Sequence, residues 1–115
     1  DMKAMDDDIH HRYTGSSNAN ILANARLLCQ GDTPFVVRIP VIPGVNDTNA
    51  HYRAVAELVH GAPALQGVEL LPYHRTAGAK YAMAGRAYRP SFDAEQPVFI
   101  NQDIFTQYGI RSRVL

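Results

Sequence analysis

The sequence has one cysteine, no net charge and no long apolar run. Cys29 cannot form an internal disulfide, and small secreted domains usually carry an even set of cysteines, so we expect a reducing, cytoplasmic location. Arg38, Pro40 and Pro43 interrupt the apolar stretches, which stay far shorter than the ~20 residues that span a bilayer. Eleven basic residues balance eleven acidic ones, so neither nucleic acid nor a membrane is an expected partner.

The composition that is present is that of one globular domain. Hydrophobic residues make up 46% of the 115 residues and charged residues 19%, which is ordinary for a folded protein. A chain of this length buries roughly two thirds of the surface that it exposes when unfolded. We therefore treat residues 1–115 as a single domain.

Two runs rich in aliphatic and β-branched residues predict buried strands. Phe35 to Ile42 ends at the Pro43-Gly44 turn, and Val68 to Pro72 ends shortly before His74. Pro40 has no N–H to donate to a sheet ladder, so we expect it near the carboxyl end of the first strand.

Helical spacing of apolar residues predicts three helices, and alternation near the carboxyl end predicts a further strand. The helices are expected from a Ser17 cap to about Gln30, from Asp47 to His60 with Asp47 or Thr48 as cap, and from Gln96 to Tyr108, and the strand from Ile110 to Leu115. The distance between the first two strands fits a βαβ unit. The order therefore predicts an α/β fold with parallel strands and outer helices.

The carboxyl ends of the parallel strands are the expected place for functional groups, because loops can vary there without disturbing the core. Counting back one βαβ unit from Phe35 puts Asp1 and Lys3 at the end of a preceding strand. We therefore expect Asp1, Lys3, the end of the Arg38 strand and His74 to lie at one edge.

Arg38 and His74 also have purely structural interpretations. An unpaired charge within an apolar strand is costly, so Arg38 should either face a ligand or pair with a carboxylate, for which Glu69 on the next strand is the obvious candidate. His74 could be a hydrogen-bonded histidine at the rim of the core. Lys3 could be a solvated surface lysine.

The remaining polar clusters predict structure rather than chemistry. Asp6-Asp7-Asp8 is expected to start a helix, because hard-metal sites need ligands that converge on one point. Neighbouring side chains point apart, so His10 and His11 should not share a metal ion. We expect both at the surface, as well as His51 and His60, and Cys29 as a small core residue.

Three segments in this order resemble one protein family. The stretches DMKAMDDDIHHRYTG, PFVVRIPVIPGVND and VELLPYHRTAGAKYAMAGRAY are similar to the carboxyl half of the pyruvate formate-lyase-activating enzymes, the radical S-adenosylmethionine activases of glycyl-radical enzymes. Asp-x-Lys alone is a weak motif, whereas three motifs in the same order are specific.

The resemblance implies a fold, an activity and a set of binding residues. The family has an incomplete TIM-type barrel and holds a [4Fe-4S] cluster through Cys-x-x-x-Cys-x-x-Cys. It converts S-adenosylmethionine into a deoxyadenosyl radical that abstracts hydrogen from a glycine of a partner enzyme, such as pyruvate formate-lyase. By this resemblance Asp1, Lys3, Arg38 and His74 would bind S-adenosylmethionine, and Asp1 would also lie near a monovalent cation.

One departure from the family is decisive for the chain taken alone. A site-differentiated cluster needs three thiolates, and the single Cys29 does not match the motif. We therefore expect the carboxy-terminal part of such an enzyme, with the front half of the barrel missing and no radical activity of its own.

Other functions and a mode of association follow from the same residues. The chain could be a non-catalytic module that docks a glycyl-radical enzyme, or part of a metal-free aldolase or isomerase that forms a Schiff base at Lys3. The motifs do not distinguish among partner enzymes. An uncovered sheet edge would favour self-association.

Overall fold

The computed structural model describes residues 2–72 and 97–115, and these form four helices and three strands. In chain order they are α1 (Asp7–Thr14), α2 (Ala19–Gln30), β1 (Phe35–Val41), α3 (Asn49–Val59), β2 (Leu65–Pro72), α4 (Asp103–Gln107) and β3 (Ser112–Val114). Within these ranges no helix has the length and apolar character needed to cross a bilayer.

The three strands form one parallel sheet in the order β1-β2-β3, which confirms the predicted α/β fold. Arg38 of β1 lies opposite Glu69 of β2, and Glu69 lies opposite Arg113 of β3. Strand neighbours in space are thus also neighbours in sequence.

The core lies between one face of this sheet and the helices. Alternate residues of β1, namely Val37, Ile39 and Val41, are buried together with Val68 and Leu70 of β2. They pack against the buried stripe of α3 and against α4, whose core residues are Tyr52, Val55, Ala56, Val59, Ile104 and Phe105. Partly buried residues of α2 complete the same layer. The described helices therefore cover a single face of the sheet.

Side-chain caps fix the starts of two helices as the sequence predicts. Asp6 accepts a hydrogen bond from the Ile9 N–H at 3.1 Å, and the acidic residues that follow it occupy the first turn of α1. Thr48 accepts from the His51 N–H at 3.1 Å and caps α3. The prediction of Asp6-Asp7-Asp8 as a helix start is therefore confirmed.

The predicted helix from Gln96 to Tyr108 is wrong over its first half. Only Asp103–Gln107 is helical, and Pro97 to Ile100 form no regular structure. The backbone of Phe99 is bonded elsewhere, because its N–H donates to Asp47 Oδ2 at 3.0 Å and its carbonyl accepts from the Tyr52 hydroxyl at 2.5 Å. Asp47 and Tyr52 therefore bond the N–H and carbonyl groups of Phe99 that would otherwise form hydrogen bonds within a helix.

Two histidines predicted at the surface are buried. His10 accepts or donates at Nδ1 to the Ser16 carbonyl at 2.7 Å and to Thr14 Oγ1 at 3.0 Å, beside the end of α1. His51 is covered because residues 2–5 cross the first turn of α3. His11 and His60 are exposed, as predicted.

Candidate functional site

One face of the sheet is uncovered by the described helices and carries charged residues. Side chains of a strand alternate between faces, so Arg38 points away from the core that Val37 and Ile39 enter. Glu69 and Arg113 lie level with Arg38 on the adjacent strands. We call this side of the sheet, with Val36, Arg38, Glu69 and Arg113, the open face.

Glu69 joins two arginines across the three strands. The Arg38 Nε donates to Glu69 Oε1 at 3.0 Å, and the Arg113 Nε donates to Glu69 Oε2 at 2.9 Å. The Arg113 Nη2 donates to the same Oε2. The structural alternative for Arg38, pairing with Glu69, is therefore observed, and Arg113 is a second partner that the sequence did not predict.

The arrangement leaves a positive face with a fixed carboxylate at its centre. Glu69 is only 8% exposed, whereas the side chains of Arg38 and Arg113 are 59% and 70% exposed. Hydrogen bonds from Arg113 and then from Arg38 lower the pKa of Glu69 below its usual value, so the carboxylate stays ionised. One negative and two positive charges give the cluster a net positive charge, with the guanidinium groups accessible to solvent.

The segment that contains Lys3 begins beside Arg38, along the other edge of β1. The Met2 N–H donates to the Arg38 carbonyl at 2.7 Å, and β2 occupies the opposite edge of β1. Met2 is buried in the core, Lys3 is partly exposed, and Ala4 is buried again. From this alternation we infer that the Lys3 side chain points to the open face, as Arg38 does.

Side chains from three separate parts of the chain hold the backbone of residues 2–5. Asn46 donates from Nδ2 to the carbonyl oxygens of Lys3 at 2.8 Å and Pro40 at 2.7 Å. Asn18 donates to the carbonyl oxygens of Ala4 and Met5 at 3.2 and 2.9 Å. His51 Nδ1 accepts from the Met5 N–H at 3.3 Å. We call Asn18, Asn46 and His51 the cradle of this segment.

His51 performs this role in its neutral form. Accepting a hydrogen bond at Nδ1 requires a lone pair there, which places the ring proton on Nε2. Burial lowers the pKa of His51 to about 4, because the charged imidazolium is poorly solvated at this position. The cradle therefore keeps its hydrogen bond at neutral pH.

Of the four predicted binding residues, Lys3 and Arg38 lie among the described residues, and their role in binding stays a prediction. Asp1 and His74 lie outside the described residues. Asn46 was missed, although it stands in the quoted stretch PFVVRIPVIPGVND. Its position just after the Pro43-Gly44 turn was the available signal, but local pattern does not distinguish a buried asparagine from an exposed one.

Cys29 lies on α2, away from the open face. Its thiol is partly buried and donates weakly to the Leu58 carbonyl at 3.6 Å. Burial raises the pKa of the Cys29 thiol, which is the environment of a structural cysteine. No group of three or more candidate metal-binding side chains exists among residues 2–72 and 97–115.

Comparisons with known proteins identify relatives of the chain. No family model matches it. It is 42% identical over 88 residues to the isethionate sulfite-lyase activating enzyme of Desulfovibrio desulfuricans, covering 75% of this chain and 28% of that protein. It is 37% identical over 90 residues to the trans-4-hydroxy-L-proline dehydratase activating enzyme of Clostridioides difficile, covering 76% and 30%.

A solved structure gives the same answer at the level of the fold. A crystallised domain of the pyruvate-formate lyase-activating enzyme from Bacteroides vulgatus superposes with a TM-score of 0.72 at 29% identity, covering 99% of this chain and 63% of that one. The chain spans about three tenths of the length of the two curated relatives described above. Over that part, the chain is a homologue of the glycyl-radical enzyme activating enzymes.

Proposed function

We propose that this chain forms the carboxy-terminal wall of the S-adenosylmethionine site in an activase of a glycyl-radical enzyme. The observation that supports the proposal is the backbone bond from Met2 to Arg38, which runs the segment that contains Lys3 along the edge of β1 that is not paired with β2. The family resemblance assigns both residues to that cofactor. Asp1 and His74 are the further ligands that the resemblance proposes.

The donor set suits the methionine and ribose parts of the cofactor. An ammonium and a guanidinium complement a carboxylate, and guanidinium N–H groups also donate to hydroxyl oxygens. Glu69 holds the Nε of Arg38, so the Nη groups of Arg38 are the ones directed to a ligand. When bound at a reduced cluster, S-adenosylmethionine supplies the deoxyadenosyl radical.

The residues of this chain do not fit the iron-sulfur cluster itself. Three thiolates are required, and Cys29 is a single, partly buried thiol bonded to a helix carbonyl. We propose that the cluster motif lies in another part of the whole enzyme, and that residues 1–115 alone generate no radical.

The barrel is proposed on the strand arrangement. Parallel strands that are sequential in space, with helices on a single face, form the repeating unit of a (βα) barrel, whereas doubly wound sheets carry helices on both faces. On this proposal the open face is the interior wall of an incomplete barrel. The missing front strands would continue the sheet beyond β1.

The partner of the whole protein is proposed to be a glycyl-radical enzyme. Its relatives are named as activating enzymes of isethionate sulfite-lyase and trans-4-hydroxy-L-proline dehydratase, which differ in substrate. We therefore propose the class of partner and no individual enzyme, in a reducing cytoplasm that keeps Cys29 as a thiol.

The test is a titration of the ¹⁵N-labelled 115-residue chain with S-adenosylmethionine, followed by NMR. Because the chain supplies part of the site, we expect weak binding, with dissociation constants in the millimolar range, and shifts at Lys3 and Arg38. Arg38→Ala should remove these shifts, whereas Arg26→Ala, on the exposed side of α2, should leave them unchanged. Equal shifts in wild type and Arg38→Ala would contradict the proposal, and micromolar affinity would contradict the partial site.

A further inference from the structure

Residues 2–5 lie outside helices and strands, yet several of their backbone groups form hydrogen bonds with distant parts of the chain. The Met2 N–H, the Met5 N–H and the carbonyl groups of Lys3, Ala4 and Met5 all have hydrogen-bond partners in other elements. Most of these partners are side chains of the cradle, defined above. The segment is therefore fixed by particular residues and not by a sheet ladder.

Asn46 has the most demanding position in the cradle. Its side chain is 1% exposed and bonds three backbone groups, because Nδ2 donates to Lys3 and Pro40 while Oδ1 accepts from the Ile42 N–H at 2.7 Å. Two donors and one acceptor on one planar group are a set that asparagine supplies and aspartate does not. Asn46 thereby ties the backbone of Lys3 to the carboxyl end of β1.

Fixing the Lys3 backbone has a consequence for its side chain. Lysine carries its ammonium on a flexible four-carbon stem, so the position of the Cα sets the region that the charge can reach. The bond from Asn46 acts on the Lys3 carbonyl itself, and the burial alternation of residues 2–4 is the basis for inferring that the side chain points to the open face. A ligand bound by both Lys3 and Arg38 requires this spacing to be constant.

We infer that Asn46 is a positioning residue, which sets the place of Lys3 relative to Arg38 for binding the cofactor. This role rests on the proposed function, since it has meaning only if Lys3 binds a ligand. A positioning role differs from a general contribution to stability, because a substitution of Asn46 should then weaken binding only when Lys3 is present.

A double-mutant cycle separates these two roles. Asn46→Asp keeps the size of the side chain and replaces the donating amide by a carboxylate facing two carbonyl oxygens. The matched control is Asn101→Asp, at an asparagine whose amide bonds the Asn49 side chain at the surface. Each substitution is combined with Lys3→Ala, and the dissociation constant for S-adenosylmethionine is measured by NMR on the 115-residue chain.

We expect Asn46→Asp to weaken binding about tenfold, the equivalent of one good hydrogen bond. In the Lys3→Ala background the same substitution should have no further effect, because the interaction that it misplaces is already gone. Amide exchange at Lys3 and Ala4 should accelerate in Asn46→Asp and stay at the wild-type rate in Asn101→Asp.

Each outcome has a defined meaning. An equal loss of affinity from Asn46→Asp with and without Lys3 would overturn the positioning role. If Lys3→Ala alone leaves binding unchanged, the proposed function fails, while faster exchange in Asn46→Asp would still demonstrate the anchoring. Should Asn46→Asp not fold, Asn46→Ala replaces it in the same cycle under the same criteria, because a smaller side chain admits water to the two carbonyl oxygens.

Discussion

Replacing Tyr52 by phenylalanine should destabilise the fold measurably, whereas the same change at Tyr108 should not. Tyr52 is fully buried, with its ring 6.0 Å from Phe105 and 6.4 Å from Phe99 between centroids. Its hydroxyl donates to the Phe99 carbonyl and so fastens the irregular segment before α4 to α3. Phenylalanine keeps the ring and removes only this bond.

The magnitude follows from burial. Loss of this partly buried hydroxyl bond costs about 1 kcal/mol, because the donor comes from the fully buried Tyr52 side chain. The Tyr108 hydroxyl donates to Glu57 at 3.0 Å on the surface, where water replaces it, so Tyr108→Phe should cost less than about 0.5 kcal/mol. For a domain of this size, 1 kcal/mol lowers the melting temperature by about 4 °C.

Urea denaturation, monitored by circular dichroism, measures both free energies of unfolding on the same footing. The slopes should match between variants, since neither change alters the surface exposed on unfolding. Amide exchange near Phe99 should also accelerate in Tyr52→Phe alone. Equal stabilities of the two variants would refute the claim that the Tyr52 hydroxyl fastens this segment.

Three further predictions concern the faces of the sheet, acid stability and association. Leu70→Ala should lower the free energy of unfolding by about 2–5 kcal/mol in urea denaturation, because Leu70 is fully buried against the helices. Leu71→Ala, on the open face, should lower it by clearly less, and equal losses would contradict the assignment of faces. The pKa of His51 falls from 6.5 to about 4 on folding, so the unfolded chain binds more protons than the folded chain between these pH values. The contribution of His51 to the free energy of unfolding should therefore be complete above pH 6.5 and should decline by about 3 kcal/mol toward pH 4. His51→Gln should flatten that decline in pH-dependent unfolding, and His60→Gln should not. The isolated chain should self-associate at micromolar concentration, because Val36, Val114 and Leu115 are exposed near the open face and the short edge strand β3. Sedimentation velocity measures this, and a monodisperse monomer would count against the prediction.

The regular elements were predictable because local signals and packing agree. β1 and β2 are rich in aliphatic and β-branched residues, and they lie within a few residues of their predicted bounds. Thr48 begins α3 as a side-chain cap, and the buried stripe of α3 contains the residues that helical spacing selects. Arg38 and Glu69 could be paired in advance because they occupy corresponding positions on adjacent strands.

The wrong or missed predictions concern residues that form hydrogen bonds with partners distant in the sequence. The segment before α4 has helical periodicity, but Asp47 and Tyr52 bond the backbone of Phe99 from α3 and the loop before it. His51 has the spacing of an outer helix position, but residues 2–5 cover it. Asn46 is a turn residue by pattern, and only the fold shows that it reaches Lys3 from 43 residues away. Such contacts are properties of the tertiary structure.

We propose above that these residues form one wall of an activating enzyme whose cluster is held elsewhere in the same polypeptide. Sequencing the complete transcript that encodes the chain tests this most directly. We expect Cys-x-x-x-Cys-x-x-Cys in the same reading frame, on the amino-terminal side of Asp1. A complete reading frame that contains the 115 residues but no such cysteine triplet would contradict it.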